Sequence, residues 1–219
     1  MTSRSILITG ATRGIGAGLL DAYSANGDVA FGTTRDADKT GPRWLCADMA
    51  DARSIAALGD RITGPLDLLI CNAGVYLDQR ETLASGYAPA LWADSFAVNV
   101  TGVFLTIQTL LPNLRAAKGK IAIISSQMGS DTTAPGGSYI YRASKAAVLN
   151  LGRNLATDLK PQGIAVGIYH PGWVQTDMGG ARADLTLDQS VRGLTARFDA
   201  LSLATSGCFE CWDGRPHPF

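Results

Sequence analysis

The sequence has no excess of charge of either sign. Its 19 basic residues are balanced by 19 acidic ones, and charged residues make up only 17% of the 219-residue chain. Dense runs of lysine and arginine are also lacking, so no part of the chain carries the positive field that would attract a nucleic acid or an anionic membrane. This balance predicts a small, roughly neutral ligand, and neither nucleic acid nor membrane as a partner.

Cysteine is scarce, and the four residues present are Cys46, Cys71, Cys208 and Cys211. The opening segment, MTSRSILITG, lacks the long apolar stretch and cleavage site of a signal peptide, so we expect a cytoplasmic protein with reduced thiols. Cys208 and Cys211 have CxxC spacing, but a zinc site would need a second pair of ligands. In an extended strand their side chains would also face opposite ways. We therefore expect no metal.

Long apolar runs and repeats are the remaining absences. We expect no run of the ~18 uncharged residues that a membrane span needs, and therefore a soluble protein. The sequence has no internal repeat or low-complexity segment. Hydrophobic residues nevertheless make up 46% of the chain, which suits a sheet buried on both faces. The length fits one large α/β domain that covers residues 1–219.

Short apolar runs alternate with longer helical patterns along the chain. This alternation is typical of βαβ units that build a parallel sheet. The predicted strands are residues 5–9, 29–33, 66–71, 120–125, 165–169 and 207–211. The predicted helices are residues 15–26, 54–63, 92–117, 140–160 and 187–203. The order predicts an α/β fold: a single-domain, Rossmann-type, doubly wound parallel sheet with helices on both faces.

A glycine-rich turn follows the first predicted strand. The segment TGATRGIG places Gly10, Gly14 and Gly16 just before an apolar helix. Glycine lets the backbone turn sharply and approach a pyrophosphate, whose charge the helix N-terminus then stabilises. Taken alone, the glycines could equally be a flexible strand-to-helix turn, since such clusters are weak signals. Their position before a helix favours a dinucleotide site.

The spacing Gly-x-x-x-Gly-x-Gly resembles the fingerprint of the short-chain dehydrogenase/reductase family. Further motifs of that family follow in the expected order over about residues 5–215. They are NAG at 72–74, Asn99 in FAVNV, ISS ending in Ser125 and Ser126, YRASK at 141–145, and HPGWVQTDM after the sixth predicted strand. The GGSYIY segment that leads into YRASK, together with a short C-terminus, is similar to the branch that contains C-factor and the sniffer-type carbonyl reductases.

The resemblance implies a site for a nicotinamide dinucleotide. The positions that match the family's cofactor contacts are Gly10, Thr12, Arg13, Gly14, Ile15, Gly16, Thr34, Arg35, Asp48, Met49, Asn72, Ala73, Gly74, Tyr141, Lys145, Pro171, Gly172, Val174 and Thr176. In the family, residues 72–74 support the strand edge beside the adenosine. Asp48 resembles an aspartate that faces the adenine amine, although an ordinary surface turn would explain Asp48 as well.

Charge at the end of the second predicted strand indicates which cofactor is bound. An Asp or Glu there would accept a hydrogen bond from a free ribose 2′-hydroxyl and repel a 2′-phosphate. This chain has Thr34 and Arg35 instead, and Arg13 lies within the glycine turn. Two guanidinium groups can bind one phosphate through charge-assisted bonds, so we predict NADP(H). Either arginine alone could be an ordinary surface residue.

Tyr141 is the predicted proton donor. A carbonyl reductase must add a proton to the carbonyl oxygen while the cofactor provides the hydride. A free phenol has a pKa near ~10, and Lys145, one helical turn away, would lower that pKa by charge attraction. The resemblance implies that Lys145 also holds the ribose hydroxyls of the nicotinamide. As an isolated pattern, Tyr-x-x-x-Lys would be an ordinary amphipathic helix turn.

Ser126 and Asn99 complete the predicted catalytic group. Ser126 resembles the family serine that hydrogen-bonds the substrate oxygen and stabilises the charge that develops there, and Ser125 is the reserve candidate. The resemblance gives Asn99 a water, bound through its helix backbone, that links Lys145 to solvent. We interpret His170 as a packing or loop residue, because the proton relay is complete without it.

A loop and the helix after it, about residues 173–204, are expected to cover the substrate. Trp173 and Met178 flank Thr176 in this loop. Both are candidates to line the substrate pocket, with core packing as the alternative for Trp173.

Together these residues predict an NADP-dependent short-chain dehydrogenase/reductase of the carbonyl reductase type, acting on a small-molecule carbonyl or alcohol. The alternative is a signalling or regulatory protein that binds NADP(H) with little turnover, but a pure sensor has no need of Tyr141, Lys145 and Ser126. A sugar-nucleotide epimerase or dehydratase would have a different glycine spacing and a further substrate domain. The resemblance also implies a homodimer or tetramer, paired through the predicted helices 92–117 and 140–160.

Overall fold

The apolar runs form one parallel sheet in the computed structural model of the chain, which describes residues 3–39 and 41–219. The strands in those residues are β1 (Ser5–Ile8), β2 (Val29–Thr34), β3 (Trp44–Cys46), β4 (Leu68–Cys71), β5 (Lys120–Ile124), β6 (Ala165–His170) and β7 (Phe209–Cys211). They lie side by side in the order β3-β2-β1-β4-β5-β6-β7, and every neighbouring pair is parallel.

Helices cover both faces of this sheet. They are α1 (Gly14–Ala25), α2 (Ala52–Ala56), α3 (Leu58–Arg61), α4 (Pro89–Phe96), α5 (Gly102–Ala117), α6 (Tyr139–Leu159) and α7 (Leu187–Ala200). Because side chains alternate along a strand, Ile6 and Ile8 of β1 pack with α1 and α7, whereas Leu7 packs with α5 and α6 on the opposite face. The predicted doubly wound α/β fold is confirmed.

Several predicted element ends were wrong. Strand β3 was not predicted, because three residues are too few for an alternating pattern. The predicted strand 66–71 begins at Leu68. The predicted helix 54–63 is divided into α2 and α3 at Ala57. The predicted helix 187–203 has its expected capping box but ends at Ala200, because Leu201 leaves the helical conformation with φ −57° and ψ 133°.

The predicted helix 92–117 begins earlier, at Pro89. No charged residue lies between Asp94 and Arg115, so this run exceeds the ~18 residues of a membrane span, and the expectation of no such run was wrong. By length and composition alone, Pro89–Ala117 could cross a membrane. In this fold its inner side chains, such as Ile107, pack into the core against the sheet.

The topology brings the predicted site residues to one edge of the sheet. Strand β1 lies between β2 and β4, so the direction of winding reverses beside it. In such sheets a crevice opens outside the carboxyl ends of the strands at the point of reversal. The last residues of β1, β4, β5 and β6 are Ile8, Cys71, Ile124 and His170. The loops that carry the family motifs begin after these four residues.

The C-terminal tail packs against the end of β6. His170 is 8% exposed, and its ring lies edge-on to the ring of His217 with the centroids 5.9 Å apart. Within residues 3–39 and 41–219, its Nδ1 atom has no hydrogen-bond partner. Burial, reinforced by His217, lowers the pKa of His170 to about 4. His170 is therefore a neutral packing residue at neutral pH.

We expect the protein to lose stability through His170 as the pH falls. The folded-state pKa is about 4 and that of an unfolded histidine is near ~6.5, so only the unfolded state binds the proton between these values. The stabilisation is complete above pH ~6.5 and is lost on the way down to pH ~4, a change of roughly 3 kcal/mol. Between pH ~7 and ~4.5, denaturant titrations should show the parent losing about 2 kcal/mol more unfolding free energy than His170→Leu. Equal losses in the two proteins would contradict this account.

Candidate active site

The glycine turn connects β1 to the N-terminus of α1. Gly10 and Gly14 have φ values of +66° and +54°, in the left-handed region that other residues rarely adopt. The Gly10 N–H donates to Thr33 Oγ1 at 2.9 Å, which holds the turn against β2. A Cβ on Gly16 would lie 2.3 Å from the Gly10 carbonyl oxygen and 2.5 Å from Asn72 Nδ2. The third glycine therefore allows α1 to start directly on the turn.

The loop after β4 is bonded to the glycine turn. The Asn72 side-chain amide donates to the carbonyl oxygens of Thr9 at 3.0 Å and Gly10 at 3.1 Å. In the other direction, Thr9 Oγ1 accepts the N–H groups of Asn72 and Ala73, each at 3.0 Å. The sequence interpretation did not include Thr9, although it stands directly before Gly10. These four bonds hold the carboxyl ends of β1 and β4 together.

The arginines predicted to bind the 2′-phosphate lie near the carboxyl end of β2. Thr34 is buried as the last residue of that strand, and Arg35 is exposed immediately after it. Arg13 is exposed in the glycine turn, where its Nη1 lies 2.9 Å from Asp177 Oδ2 in the loop after β6. Both members of this ion pair are largely solvated, and such pairs contribute little to stability. The partner of Arg13 is therefore easily exchanged.

Further predicted cofactor contacts lie in the glycine turn, at the start of α1 and after β3. Thr12 is exposed in the glycine turn and Ile15 is partly buried at the start of α1. Met49 is buried. The Asp48 carboxylate accepts the N–H of Ala50 at 2.9 Å, so it also shapes its own turn. Both interpretations of Asp48 from the sequence are compatible with this geometry.

Tyr141 and Lys145 lie on one buried side of α6. Lys145 Nζ is 5.6 Å from the centroid of the Tyr141 ring and donates to the Ile124 carbonyl oxygen at 2.9 Å. It also borders the loop after β4, because a Cβ on Gly74 would lie 3.4 Å from Nζ. The predicted pair is therefore close together, beside the loop that is hydrogen-bonded to the glycine turn.

Burial shifts the pKa of both groups. It raises the pKa of the Tyr141 phenol to about 12, although a hydrogen bond with Ser126 acts in the opposite direction. It lowers the pKa of the Lys145 ammonium to about 8. Desolvation penalises the charged form of each group, which explains the opposite signs. The expected lowering of the Tyr141 pKa by Lys145 was therefore wrong, because burial is the largest influence and the group that acts against it is the Ser126 hydroxyl. The phenol keeps its proton at neutral pH.

The two candidate serines at the end of β5 have different partners. Ser125 Oγ donates to the Lys145 carbonyl oxygen at 2.9 Å and is fully buried. Ser126 Oγ accepts the N–H of Met128 at 3.1 Å and lies near enough to the Tyr141 phenol to lower its pKa. Only Ser126 places its hydroxyl beside the phenol, so the geometry favours Ser126 over the reserve candidate.

Asn99 lies in a π turn, Ala97–Thr101, between α4 and α5. Its side-chain oxygen accepts the N–H of Val75 at 2.8 Å, and its amide donates to the Val75 carbonyl oxygen at 2.9 Å. The same amide donates to Ser144 Oγ at 2.9 Å. The side chain thus connects the loop after β4 to α6. A π turn displaces backbone carbonyls from regular pairing and often occurs at functional sites, which agrees with the backbone role implied by the resemblance.

Two residues near Tyr141 were missed in the sequence. The Tyr76 ring stacks on the Tyr141 ring with centroids 4.3 Å apart. The Asp78 carboxylate accepts backbone N–H groups from the first turn of α6. Both residues lie just after the 72–74 motif. Their distance along the chain from α6 left no local pattern that could have revealed the contact.

The loop after β6 folds back toward the glycine turn. Gly172 has φ +87°, and a Cβ there would lie 2.2 Å from Leu185 Cδ1. The predicted contacts Pro171, Val174 and Thr176 lie in this loop, with Val174 buried. The Thr176 methyl group would be 3.4 Å from a Cβ on Gly14. This loop therefore also lies against the glycine turn.

Trp173 and Met178 are both exposed in that loop. Trp173 is 48% exposed, and its Nε1 donates to the Gly179 carbonyl oxygen at 2.8 Å. Core packing is therefore excluded for Trp173. Met178 is also exposed. Both side chains are available to contact a substrate.

These residues fit a nicotinamide dinucleotide. The glycine turn leaves backbone N–H groups at the α1 N-terminus without side chains in front of them, which suits a pyrophosphate. The carboxyl end of β2 carries Arg35 and no carboxylate at Thr34. Lys145 and Tyr141 lie beside the carboxyl end of β5, where Lys145 Nζ donates to the Ile124 carbonyl oxygen. In the part of the chain that the structure describes, no cluster of three or more His, Cys, Asp or Glu side chains could hold a metal ion.

Comparison with known proteins agrees with this geometry. The profile of the family described as "short chain dehydrogenase" matches residues 4–185. The chain is 41% identical to C-signal from Myxococcus xanthus over 166 residues, which cover 72% of this chain and 95% of that protein. The NADPH-bound carbonyl reductase from chicken fatty liver superimposes with a TM-score of 0.88 at 31% identity, and the carbonyl reductase Sniffer of D. melanogaster with 0.92 at 28%; each covers 100% of both chains. The chain therefore belongs to the short-chain dehydrogenase family.

Proposed function

We propose that this protein is an NADP(H)-dependent oxidoreductase that interconverts a small-molecule carbonyl and the corresponding alcohol. The observation that carries the proposal is the buried group at the α6 start: the Tyr141 phenol, with Ser126 close enough to lower its pKa and Lys145 Nζ 5.6 Å from its ring. A binding protein gains nothing from burying a phenol and an ammonium together, since both lose hydration. A proton donor and its charge partner explain their proximity.

The chain's own residues would hold the cofactor at both ends. The glycine turn and the α1 N-terminus would bind the pyrophosphate. Arg35 and Arg13 would bind the 2′-phosphate, with Arg13 exchanging Asp177 for it. Lys145 would donate to the nicotinamide ribose. When bound, the reduced nicotinamide supplies the hydride. The NADPH in the chicken carbonyl reductase supports this choice of cofactor.

The proton transfer follows from the pKa of Tyr141. With a pKa raised to about 12, the phenol is fully protonated at neutral pH and can donate to a carbonyl oxygen. Ser126 would donate a second hydrogen bond to that oxygen and stabilise its developing charge. Once the proton has left, the phenolate would be stabilised by the Lys145 ammonium, which remains mostly charged below its pKa of about 8.

A second candidate function comes from one relative. The 41% identical protein of Myxococcus xanthus is named C-signal, so a signalling protein that binds NADP(H) with little turnover is the alternative. The buried Tyr141 and Lys145 favour the enzyme, because a sensor has no need of a proton donor. The two candidates differ in turnover: NADPH binding without reduction of any carbonyl would favour the signalling protein.

We also propose the finer features of the protein. Residues 1–219 act as one domain, in which about residues 173–204 cover the substrate, with Trp173 and Met178 at its edge. We place the protein in the cytoplasm. It forms a homodimer or tetramer through α5 and α6, and the exposed Phe104 on α5 supports this contact.

The first test concerns the proton donor. Tyr141→Phe removes the phenol hydroxyl and keeps the ring that stacks on Tyr76. Turnover should fall by about 100-fold or more, the scale of one general acid, while the NADPH Kd changes by less than about threefold. The assay follows NADPH oxidation with a panel of diketones, aldehydes, quinones and steroids. Unchanged turnover would remove Tyr141 from the mechanism.

Tyr139→Phe is the matched control for this variant. Tyr139 lies two residues earlier on α6, but it is exposed and its ring meets Tyr87 edge-on with centroids 5.5 Å apart. The Tyr139→Phe variant therefore loses the same hydroxyl oxygen, but outside the proposed site. This control should retain the turnover of the parent.

The second test concerns the cofactor phosphate. Arg35→Ala should raise the Kd for NADPH by at least about tenfold and leave the Kd for NADH within about twofold, because only NADPH carries the charge that the guanidinium would bind. Binding is measured by fluorescence of the reduced nicotinamide. Arg61→Ala is the control, since Arg61 lies with Ser5 and Val29 at the amino ends of the strands. Equal losses for both cofactors would contradict the assignment.

The third test concerns the oligomer. Sedimentation equilibrium of the parent should give a dimer or tetramer. Phe104→Glu places a charge on the proposed contact and should shift the equilibrium to monomer, because a desolvated unpaired charge opposes association. A parent that is only monomeric would overturn the proposed assembly.

A further inference from the structure

The carboxylate of Asp78 is buried at the start of α6. Asp78 lies in the loop after β4, four residues beyond Gly74, and is 1% exposed. Its Oδ2 accepts the N–H of Ile140 at 2.8 Å, and its Oδ1 accepts the N–H of Tyr141 at 3.2 Å. A carboxylate is rarely buried without partners of this kind. Both oxygens are therefore committed to the helix backbone.

The start of α6 needs an acceptor from elsewhere in the chain. N–H groups in the first turn of a helix have no intrahelical partner, and the N-cap side chain usually accepts from the second or third of them. Here the N-cap is Ser138, which has a left-handed φ of +49° and makes no capping hydrogen bond. Its hydroxyl is instead paired with the Tyr76 hydroxyl. Asp78 accepts from the second and third residues of the helix, Ile140 and Tyr141.

We infer that Asp78 is a positioning residue for Tyr141. By accepting hydrogen bonds from two successive N–H groups, its carboxylate fixes the position of the first turn of α6. It thereby also fixes the position of the Tyr141 phenol. Its negative charge also lies favourably at the positive end of the helix dipole. The inference rests on the proposed function, because the position matters for proton transfer.

The same loop holds the Tyr141 ring from the side. Tyr76, two residues before Asp78, stacks on that ring with an interplanar angle of 23°. The Val75 N–H donates a hydrogen bond to the Asn99 side chain, which in turn donates one to Ser144 Oγ on α6. The loop after β4 therefore contacts both the backbone of Tyr141, through Asp78, and its ring, through Tyr76. Asp78 itself is too buried to touch a substrate, so it acts through Tyr141.

The test compares Asp78→Ala and Asp78→Asn with the parent. Alanine removes both acceptors, and kcat should fall by about tenfold or more while the NADPH Kd changes by less than about twofold, because only the proton donor moves. Asparagine keeps one acceptor oxygen, so kcat should recover to within about fivefold of the parent. A kcat for Asp78→Ala within about twofold of the parent would overturn the inference, as would Asp78→Asn being as slow as Asp78→Ala.

Asp28→Ala is the matched control. Asp28 is also a buried carboxylate, with its side chain 8% exposed, and it accepts from the Arg4 backbone and guanidinium far from the crevice. Its loss should lower stability but leave kcat within about twofold when both proteins are assayed fully folded. An equal fall in kcat for Asp28→Ala would mean that Asp78 acts only through stability, and would overturn the inference.

Amide hydrogen exchange tests the hydrogen bonds between Asp78 and the start of α6 directly, without an activity assay. In the parent, the N–H groups of Ile140 and Tyr141 should be protected although they lie in the first helical turn. Asp78→Ala should speed their exchange by about tenfold or more, and Asp28→Ala should not. Unchanged exchange would overturn the inference even for an active enzyme. If the parent reduces no carbonyl, the proposed function fails, and this exchange result still decides whether Asp78 positions Tyr141.

If Asp78→Ala does not fold, the same two measurements on Asp78→Asn decide the question. One of the two N–H groups then faces an amide donor in place of an oxygen. Faster exchange at Ile140 or Tyr141 together with a lower kcat supports the inference, and parent values for both overturn it.

Discussion

The hydrogen bonds between Asn72 and the turn after β1 are the contact on which the rest of the site depends. The Asn72 amide occupies the space that a Cβ on Gly16 would need, and it binds the carbonyl oxygens of Thr9 and Gly10. Thr9 Oγ1 in turn accepts hydrogen bonds from two backbone N–H groups of the same loop. Because these bonds fix the loop after β4 relative to the glycine turn, every residue carried by that loop is placed relative to the cofactor crevice.

That loop then determines the surroundings of Tyr141 and Lys145. Gly74 lies directly beside Lys145 Nζ, since a Cβ there would be in contact with it at 3.4 Å. The Lys145 ammonium and the Tyr141 phenol are desolvated together, and desolvation raises one pKa to about 12 and lowers the other to about 8. Burial thus makes the phenol a weaker acid than a free tyrosine and makes the neighbouring ammonium release its proton more readily than a free lysine. This arrangement suits reduction at neutral pH better than oxidation.

Local patterns predicted the sheet, most helices and the placement of the motifs. This was possible because βαβ alternation and glycine spacing can be recognised within short stretches of sequence. The pairing of Tyr141 with Lys145 was predictable for the same reason, since both lie on one helical face. What the sequence could not indicate were contacts between distant segments. Asp78 contacts α6 although 62 residues separate it from Ile140 along the chain. The choice between Ser125 and Ser126 depends on which hydroxyl already donates a hydrogen bond to the Lys145 carbonyl oxygen. The effect of burial on the Tyr141 pKa required the packed structure.

The approach to α6 explains why a distant carboxylate is needed there. Gly136, Gly137 and Ser138 have successive φ values of +84°, +69° and +49°, and a non-glycine residue in that region is strained. The helix is not capped by its own N-cap side chain, since the Ser138 hydroxyl is paired with Tyr76. Strain of this kind persists only where the surrounding structure compensates for it. Here the compensation comes from Asp78, so the position of the proposed proton donor depends on the loop after β4 more than on the helix that carries it.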